Sequence, residues 1–345
     1  MFFKYFLLIV LISNIIRVQS NSEVILDTPY GKLAGEKREN YYAFENIPYA
    51  EPPVGKKRFE PVQMYQDKWM DTRNAKKPGS DCIQYFHETY SVHGEEDCLT
   101  LNIYTKNYEN KDKLPVFFFI HGGGFTFGNG FLYGPKHIME NIDAVFVNCN
   151  YRLGPMGFLS TEDSIVPGNM GLKDQNIALK WVHQNIALFG GNPNEVTIIG
   201  FSAGGASVHL HYLSPLSADL FKRGISHSGC SLDPWVMTEG SAEKARVLAA
   251  RLGCITDNND AMIKCLKEKP ATDIVHGVSL FQPFLFNPFT PFGVVIEKPS
   301  KNAFLSEAPL QLLKSNHIYQ LPWLLTFTSD EGYYGAAGKR DFILI

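Results

Sequence analysis

No Asn-x-Ser/Thr triplet occurs in the 345 residues, so the chain offers no acceptor for an N-linked glycan. A basic excess is lacking too: 32 Lys and Arg stand against 35 Asp and Glu, giving a formal net charge of −3 and a pI near 6.4. That balance argues against nucleic acid as a partner, because a polyanion selects strongly positive surfaces. No Cys/His spacing resembles a zinc site. Neither Gly-Lys-Ser/Thr nor G-x-G-x-x-G follows the glycine-rich stretch, which discounts a phosphate cradle, and no cofactor is implied. Internal repeats and low-complexity tracts are missing as well. With 45% hydrophobic and 19% charged residues the composition is that of an ordinary globular protein. The length suits one large core or two modest domains.

Long apolar runs are scarce. One covers Phe6 to Ile16, behind Lys4 and ahead of the small residues Val18 and Ser20. It is shorter than the ~20 residues that a bilayer span needs. Residues 1–20 therefore read as a secretory signal peptide cut before Asn21, and the mature chain is expected to be soluble, exported and without a membrane span. Six cysteines then enter an oxidising compartment, where disulfides persist. Cys82 and Cys98 flank one polar loop and Cys254 and Cys265 another, both short enough for a bridge to staple. Cys149, just past an apolar run, reads as a buried free thiol, and Cys230 has no obvious mate.

Three short apolar runs, Leu114–Ile120, 144–147 and 196–199, are rich in β-branched or aromatic residues, as strands covered on both faces tend to be. Between the second and third, residues 169–188 place Leu172, Ile177, Leu179, Trp181, Val182 and Ile186 on one broad helical face. Strand, helix, strand is the βαβ unit, which implies an α/β layer architecture. Further helices are expected at Ala203–Leu213 and over 241–266, the latter broken by a turn at Leu252-Gly253-Cys254. Residues 281–299 are dense in Phe and Pro without a period and read as irregular chain lining something apolar. A last strand, 321–326, precedes the polar turn Thr328-Ser329-Asp330-Glu331-Gly332.

Two motifs carry chemistry. Gly200-Phe201-Ser202-Ala203-Gly204 lies between the third strand and a helix. A lone G-x-S-x-G is a weak signal, but a nucleophile elbow must turn sharply from strand to helix, and small flanking residues permit that turn. The serine then stands at a helix N-terminus, where free amides and the helix dipole favour developing negative charge. His121-Gly122-Gly123-Gly124-Phe125 directly follows the first strand. Three consecutive glycines cost backbone entropy and are kept where chain must approach something closely. The amides of Gly123 and Gly124, with that of Ala203, are candidate donors for an oxyanion hole, each worth roughly 3 kcal/mol in a transition state.

With these residues in place the chain resembles the type-B carboxylesterase and cholinesterase family, and within it the insect secreted esterases. The likeness runs in family order through Pro52-Pro53-Val54-Gly55 to Arg58-Phe59, Glu96-Asp97-Cys98-Leu99-Thr100-Leu101-Asn102-Ile103 and the triple glycine. It continues through Asn150-Tyr151-Arg152-Leu153-Gly154, Gly168-Asn169 to Asp174-Gln175, Phe189-Gly190-Gly191-Asn192-Pro193, the serine motif and Ser329-Asp330-Glu331-Gly332. The resemblance covers residues 22 to about 335 and implies an α/β-hydrolase fold, with a mostly parallel central sheet, helices on both faces and a C-terminus that leaves it incomplete. Residues 21–345 would form one such domain. The resemblance further implies Ser202 as nucleophile, Glu331 as triad acid, and Gly123, Gly124 and Ala203 as oxyanion donors. It pairs Cys82 with Cys98 and Cys254 with Cys265, and makes Arg58–Glu96 and Arg152–Asp174 structural ion pairs.

One part of the pattern is unmatched. Chain order in this fold is Ser, acid, His, yet all ten histidines precede Glu331 and the sequence closes at Ile345, with 338–345 unlike the family. The chain as written therefore reads as truncated, nearly inactive and poorly stable. His209 and His211 read as partner or core residues and His121 as packing. The expected substrate is a small or medium apolar ester, since the Phe-rich stretch lies where the family builds its acyl pocket. A cholinesterase is disfavoured: the loop between Cys82 and Cys98 holds no Trp for an aromatic cage. The alternative is a non-catalytic, neuroligin-like binding protein or a non-functional fragment; the missing His favours it, and the intact elbow and glycine loop disfavour it. A lipase differs mainly by a lid. The sequence leaves the oligomeric state open.

Overall fold

The structure, a computed structural model, describes residues 22–87, 89–109, 111–283 and 287–333. The expected signal peptide at 1–20 and the tail 338–345 lie outside the described residues, as do 284–286 of the Phe-rich stretch.

The strands are β1 (Glu23–Thr28), β2 (Gly31–Lys37), β3 (Tyr42–Pro48), β4 (Arg73–Asn74), β5 (Gln84–Phe86), β6 (Ser91–His93), β7 (Thr100–Thr105), β8 (Leu114–Ile120), β9 (Val145–Cys149), β10 (Gly191–Phe201), β11 (Arg223–His227) and β12 (Trp323–Thr326). One sheet runs β1-β2-β3-β7-β9-β8-β10-β11-β12, with β4 paired to β2. From β9 onward every pairing is parallel, while β1, β2, β3, β7 and β9 pair antiparallel in succession. This is a mixed, mostly parallel sheet of the α/β-hydrolase kind. The strands expected at Leu114–Ile120, 144–147, 196–199 and 321–326 are β8, β9, β10 and β12, and β9 extends to include the buried free thiol Cys149. The β9-to-β10 crossover passes over β8, which lies between them.

The antiparallel strands were not anticipated. In β1 the side chains alternate between exposed and half-buried, with no continuous apolar run to mark them. All six residues of β7 are buried, polar Asn102 included, because Asn102 hydrogen-bonds Asn148 on the neighbouring strand and accepts from the Asn46 amide. Buried polar groups that find partners in this way are invisible to a hydropathy reading.

The helix Met170–Asn185, continued by a 3-10 turn Ile186–Phe189, fills the span expected at 169–188. Leu172, Leu179, Trp181, Val182 and Ile186 are buried in the main core with Val116, Phe118, Ile120, Val196 and Ile198 of the sheet. Its polar side is interior too: Asp174 accepts from Arg152 Nε and Nη2 at 2.8 and 2.7 Å, and Lys173 meets Glu297 at 2.6 Å. The opposite face carries a smaller cluster, Ala43, Tyr104, Met139 and Phe146, flanked by partly buried Phe117 and Phe119. The stretch 241–266 divides as expected, into Ser241–Arg251 and Asn259–Glu268. Both disulfides, Cys82–Cys98 and Cys254–Cys265, are present, as are the pairs Arg58–Glu96 (2.6 Å) and Arg152–Asp174 (2.7 Å).

Candidate active site

At the carboxyl end of β10 the chain turns through Ser202 into the helix Ala203–Leu213, every residue of which is buried. Ser202 holds φ 56° and ψ −120°, a conformation costly for any residue with a Cβ and kept only where the surroundings impose it. Its amide donates to the His227 carbonyl (2.8 Å) and its carbonyl accepts from Ala206 (2.9 Å), so both flanking peptides are fixed. The turn is tight enough that a Cβ on Gly204 would overlap the Ile120 carbonyl at the end of β8, and one on Gly200 the Gly204 carbonyl. Small residues here are therefore a steric requirement. The Ser202 side chain makes no cap bond to its own helix, and the residue is half-buried.

The glycine loop abuts this corner: a Cβ on Gly122 would lie 2.6 Å from the Phe201 carbonyl and 3.1 Å from Ser202 Cβ. Gly123 and Gly124 both adopt positive φ, 108° and 58°. The Gly123 carbonyl accepts from the amides of Thr126 (2.9 Å) and Phe127 (3.1 Å). The Gly124 carbonyl accepts from two hydroxyls, Thr126 Oγ1 and Thr290 Oγ1, each at 3.1 Å. Among the described residues the amides of Gly123, Gly124 and Ala203 have no protein acceptor, so three donors remain open beside Ser202. Thr290 escapes a sequence reading because it reaches Gly124 across 166 residues, and Thr126, two residues on, because its residue type does not announce which way its hydroxyl turns.

A cleft of about 450 Å³ adjoins the loop, lined by Pro234, Trp235, Met237, Phe289 and Thr290, with Glu239 and Lys244 at its polar side. It is the described part of the Phe-rich stretch that forms one wall, in line with the irregular chain expected there. Trp235 was not singled out in the sequence; the Pro-Trp pair shortly after Cys230 was the available signal.

Glu331 lies in the turn after β12, fully at the surface. The Thr328 amide donates to its Oε1 at 2.7 Å, and this bond, with a further one from the Ser228 hydroxyl, lowers its pKa by favouring the carboxylate. Ser228 follows His227 at the end of β11, and its amide donates to the Thr326 carbonyl, so the turn is tied to the same sheet end as the elbow.

The histidines are engaged elsewhere. His121 Nδ1 lies 2.8 Å from the Gly122 carbonyl; His209 Nδ1 accepts from the Ser231 amide at 3.2 Å. His211 bonds Ser217 and Gln175, and His227 bonds Thr326 Oγ1. Burial lowers the pKa of His121 and His209 to about 4 and that of His211 to about 3. The expectation of core or partner roles for His209 and His211 holds. None of these four rings bonds Ser202 or Glu331 among the described residues.

A mixed, mostly parallel sheet with a strained serine where a strand meets a helix, and a glycine loop with free amides beside it, defines the α/β-hydrolase class. The chain belongs to the carboxylesterase family: residues 22–342 match that family's profile, some residues past the limit near 335 read from the motifs. It is 51% identical over 307 residues to "Venom carboxylesterase-6" of Apis mellifera, covering 87% of this chain and 55% of that protein. It is 44% identical over 319 residues to "Esterase-5B" of Drosophila persimilis, covering 91% and 58%. A crystal structure of juvenile hormone esterase from Manduca sexta with OTFP covalently attached superposes with a TM-score of 0.79 at 34% identity, over 87% of this chain and 59% of that one. The chain thus spans a little over half the length of the relatives it matches. Among the described residues no helix is long and apolar enough to cross a membrane.

Proposed function

We propose that this site hydrolyses carboxylic esters through an acyl-enzyme formed on Ser202. The hydroxyl oxygen attacks the ester carbonyl and its proton passes to a base. The carbonyl oxygen becomes an alkoxide that accepts from the amides of Gly123, Gly124 and Ala203. Collapse of the tetrahedral intermediate breaks the acyl–oxygen bond and releases the alcohol, protonated by the same base. Water then attacks the acyl-serine in the mirror-image sequence and releases the acid. The Glu331 carboxylate, held ionised by Thr328 and Ser228, serves as the acid of the triad.

One observation carries the reading: three unpaired amides lie in segments that converge on a serine held in a strained turn. Membership of the carboxylesterase family supports it. The small or medium apolar ester expected from the family resemblance would meet Trp235, Met237 and Phe289 in the adjoining cleft, whose lining also includes Glu239 and Lys244. Secretion is part of the proposal, supported by the signal-like residues 1–20 and by two disulfides, which persist in oxidising compartments.

Hydrolysis by this route needs a base on Ser202, and among the described residues no histidine bonds it. A preparation that supplies one turns over. A chain that does not is expected to be slower by about 10⁴- to 10⁶-fold. The test is hydrolysis of a short-chain nitrophenyl ester by the intact protein. Ser202→Ala is expected to lower kcat by about 10³-fold or more with little change in KM. A variant that retained the parent rate would sink the proposal.

A further inference from the structure

We propose that His121 is a positioning residue for one of the oxyanion donors: its Nδ1–H, donated to the Gly122 carbonyl, sets the direction of the Gly123 N–H. The inference rests on the proposed role of that amide. A trans peptide is planar, so its C=O and N–H point opposite ways, and anchoring one aims the other. The one cis bond found among the described residues is Asn287–Pro288, so the Gly122–Gly123 peptide is trans. The ring nitrogen and the carbonyl are 2.8 Å apart. The other two donors are aimed by the same device with backbone partners. The Gly123 carbonyl, on the peptide that carries the Gly124 amide, accepts from Thr126 and Phe127. The Ser202 carbonyl, on the peptide that carries the Ala203 amide, accepts from Ala206. Of these three carbonyls, that of Gly122 alone relies on a side chain among the described residues.

The surroundings of the ring leave it a single tautomer. His121 is buried, and its neutral form carries one N–H. A carbonyl oxygen 2.8 Å from Nδ1 would repel a lone pair there, which places the proton on Nδ1 and leaves Nε2 an acceptor. Nε2 is buried and has no partner among the described residues. Tyr151 stacks on the ring at 4.3 Å and 19°, and its hydroxyl donates to the His121 carbonyl at 2.9 Å. A phenylalanine would fill that stack without an orphaned nitrogen, so packing alone does not account for a histidine. The bond is also enclosed. A Cβ on Gly128 would lie 2.6 Å from both His121 Nδ1 and the Gly122 carbonyl, and buried Gln84 holds Gly128 through its amide (2.7 Å) and carbonyl (3.1 Å).

Two substitutions separate donor from ring. His121→Phe keeps the aromatic stack and removes the donor; His121→Asn loses the ring but places an amide N–H where Nδ1 stood. In the nitrophenyl ester assay on the intact protein, H121F is expected to lower kcat about tenfold or more at unchanged KM, with H121N recovering most of the loss. Equal rates for H121F and wild type, or an H121N as slow as H121F, overturn the inference. A second measurement is independent of catalysis: 15N-histidine spectra of the wild type, with His121 assigned by its disappearance in H121F. A ring protonated at Nδ1 supports the proposal and one protonated at Nε2 overturns it; should H121F fail to fold, H121N or substitution of the other histidines in turn supplies the assignment. A wild type without turnover overturns the esterase reading and this inference together, whereas turnover indifferent to H121F overturns this inference alone.

Discussion

Ser202 and its neighbours show how little freedom the chemistry leaves. The serine keeps a left-handed φ because Gly204 and Gly200 give up their Cβ atoms to the carbonyls beside them, and the Ser202 amide is tied to β11. Behind the elbow, Asp174 accepts from Arg152 Nε, Nη2 and backbone N, with both side chains almost wholly buried. Removing one partner of such a pair strands an uncompensated charge, which costs about 3–5 kcal/mol. Asp174→Ala is therefore expected to lower unfolding free energy by that amount in urea titrations; a loss under about 1 kcal/mol would show that Arg152 finds another anion or water. Ser202 and the glycine loop were legible in the sequence because each lies in a short contiguous motif, whereas the two ion pairs, spanning 38 and 22 residues, followed only from the family resemblance. The hydroxyls of Thr126 and Thr290 on Gly124, the Gln84 clamp on Gly128 and the Ser228 bond to Glu331 were not. Apart from the local Thr126 bond they join segments far apart in the chain, and nothing in residue type alone announces which Thr or Gln will turn inward.

Among the elements, the buried parallel strands declared themselves by composition and the antiparallel ones did not. β8 carries an unbroken Phe-rich run, whereas β1 alternates and β7 hides Asn102 through its bond to Asn148. A search tuned to continuous apolar segments finds the first kind and passes over the second. β12 poses a different question. It pairs with β11 alone among the described strands, and Leu324, Leu325 and Phe327 are 54%, 50% and 81% exposed. An apolar strand at an open edge is a template for pairing with another chain. The 345-residue chain is therefore expected to self-associate at micromolar concentration, and Leu325→Lys combined with Phe327→Lys to reduce that association in light scattering. An unchanged mass distribution would mean that this edge is covered in solution.

For the molecule as a whole, three histidines tie stability to acidity. The folded chain holds His121 and His209 at a pKa of about 4 and His211 at about 3, all lowered by burial, while the unfolded chain protonates near 6.5. Below pH 6.5 the unfolded state binds more protons, so this stabilisation is full above pH 6.5 and is lost as pH falls toward 4 and then 3. Urea midpoints should fall steadily from pH 7 to pH 4; a flat profile would mean that these rings are hydrated. The same three rings are sequestered in core and loop packing, so they take no part in attacking an ester. What the molecule does present is one sheet end at which β8, β10 and β12 deliver the glycine loop, the elbow and the turn that carries Glu331, with Ser228 after β11 bonded to it. Whether that convergence makes Ser202 a nucleophile is read most directly by treating the intact protein with a fluorophosphonate and mapping the adduct by mass spectrometry. A single adduct on the peptide containing Ser202, abolished by Ser202→Ala, is the predicted result. No adduct, or one that survives the substitution, would contradict it.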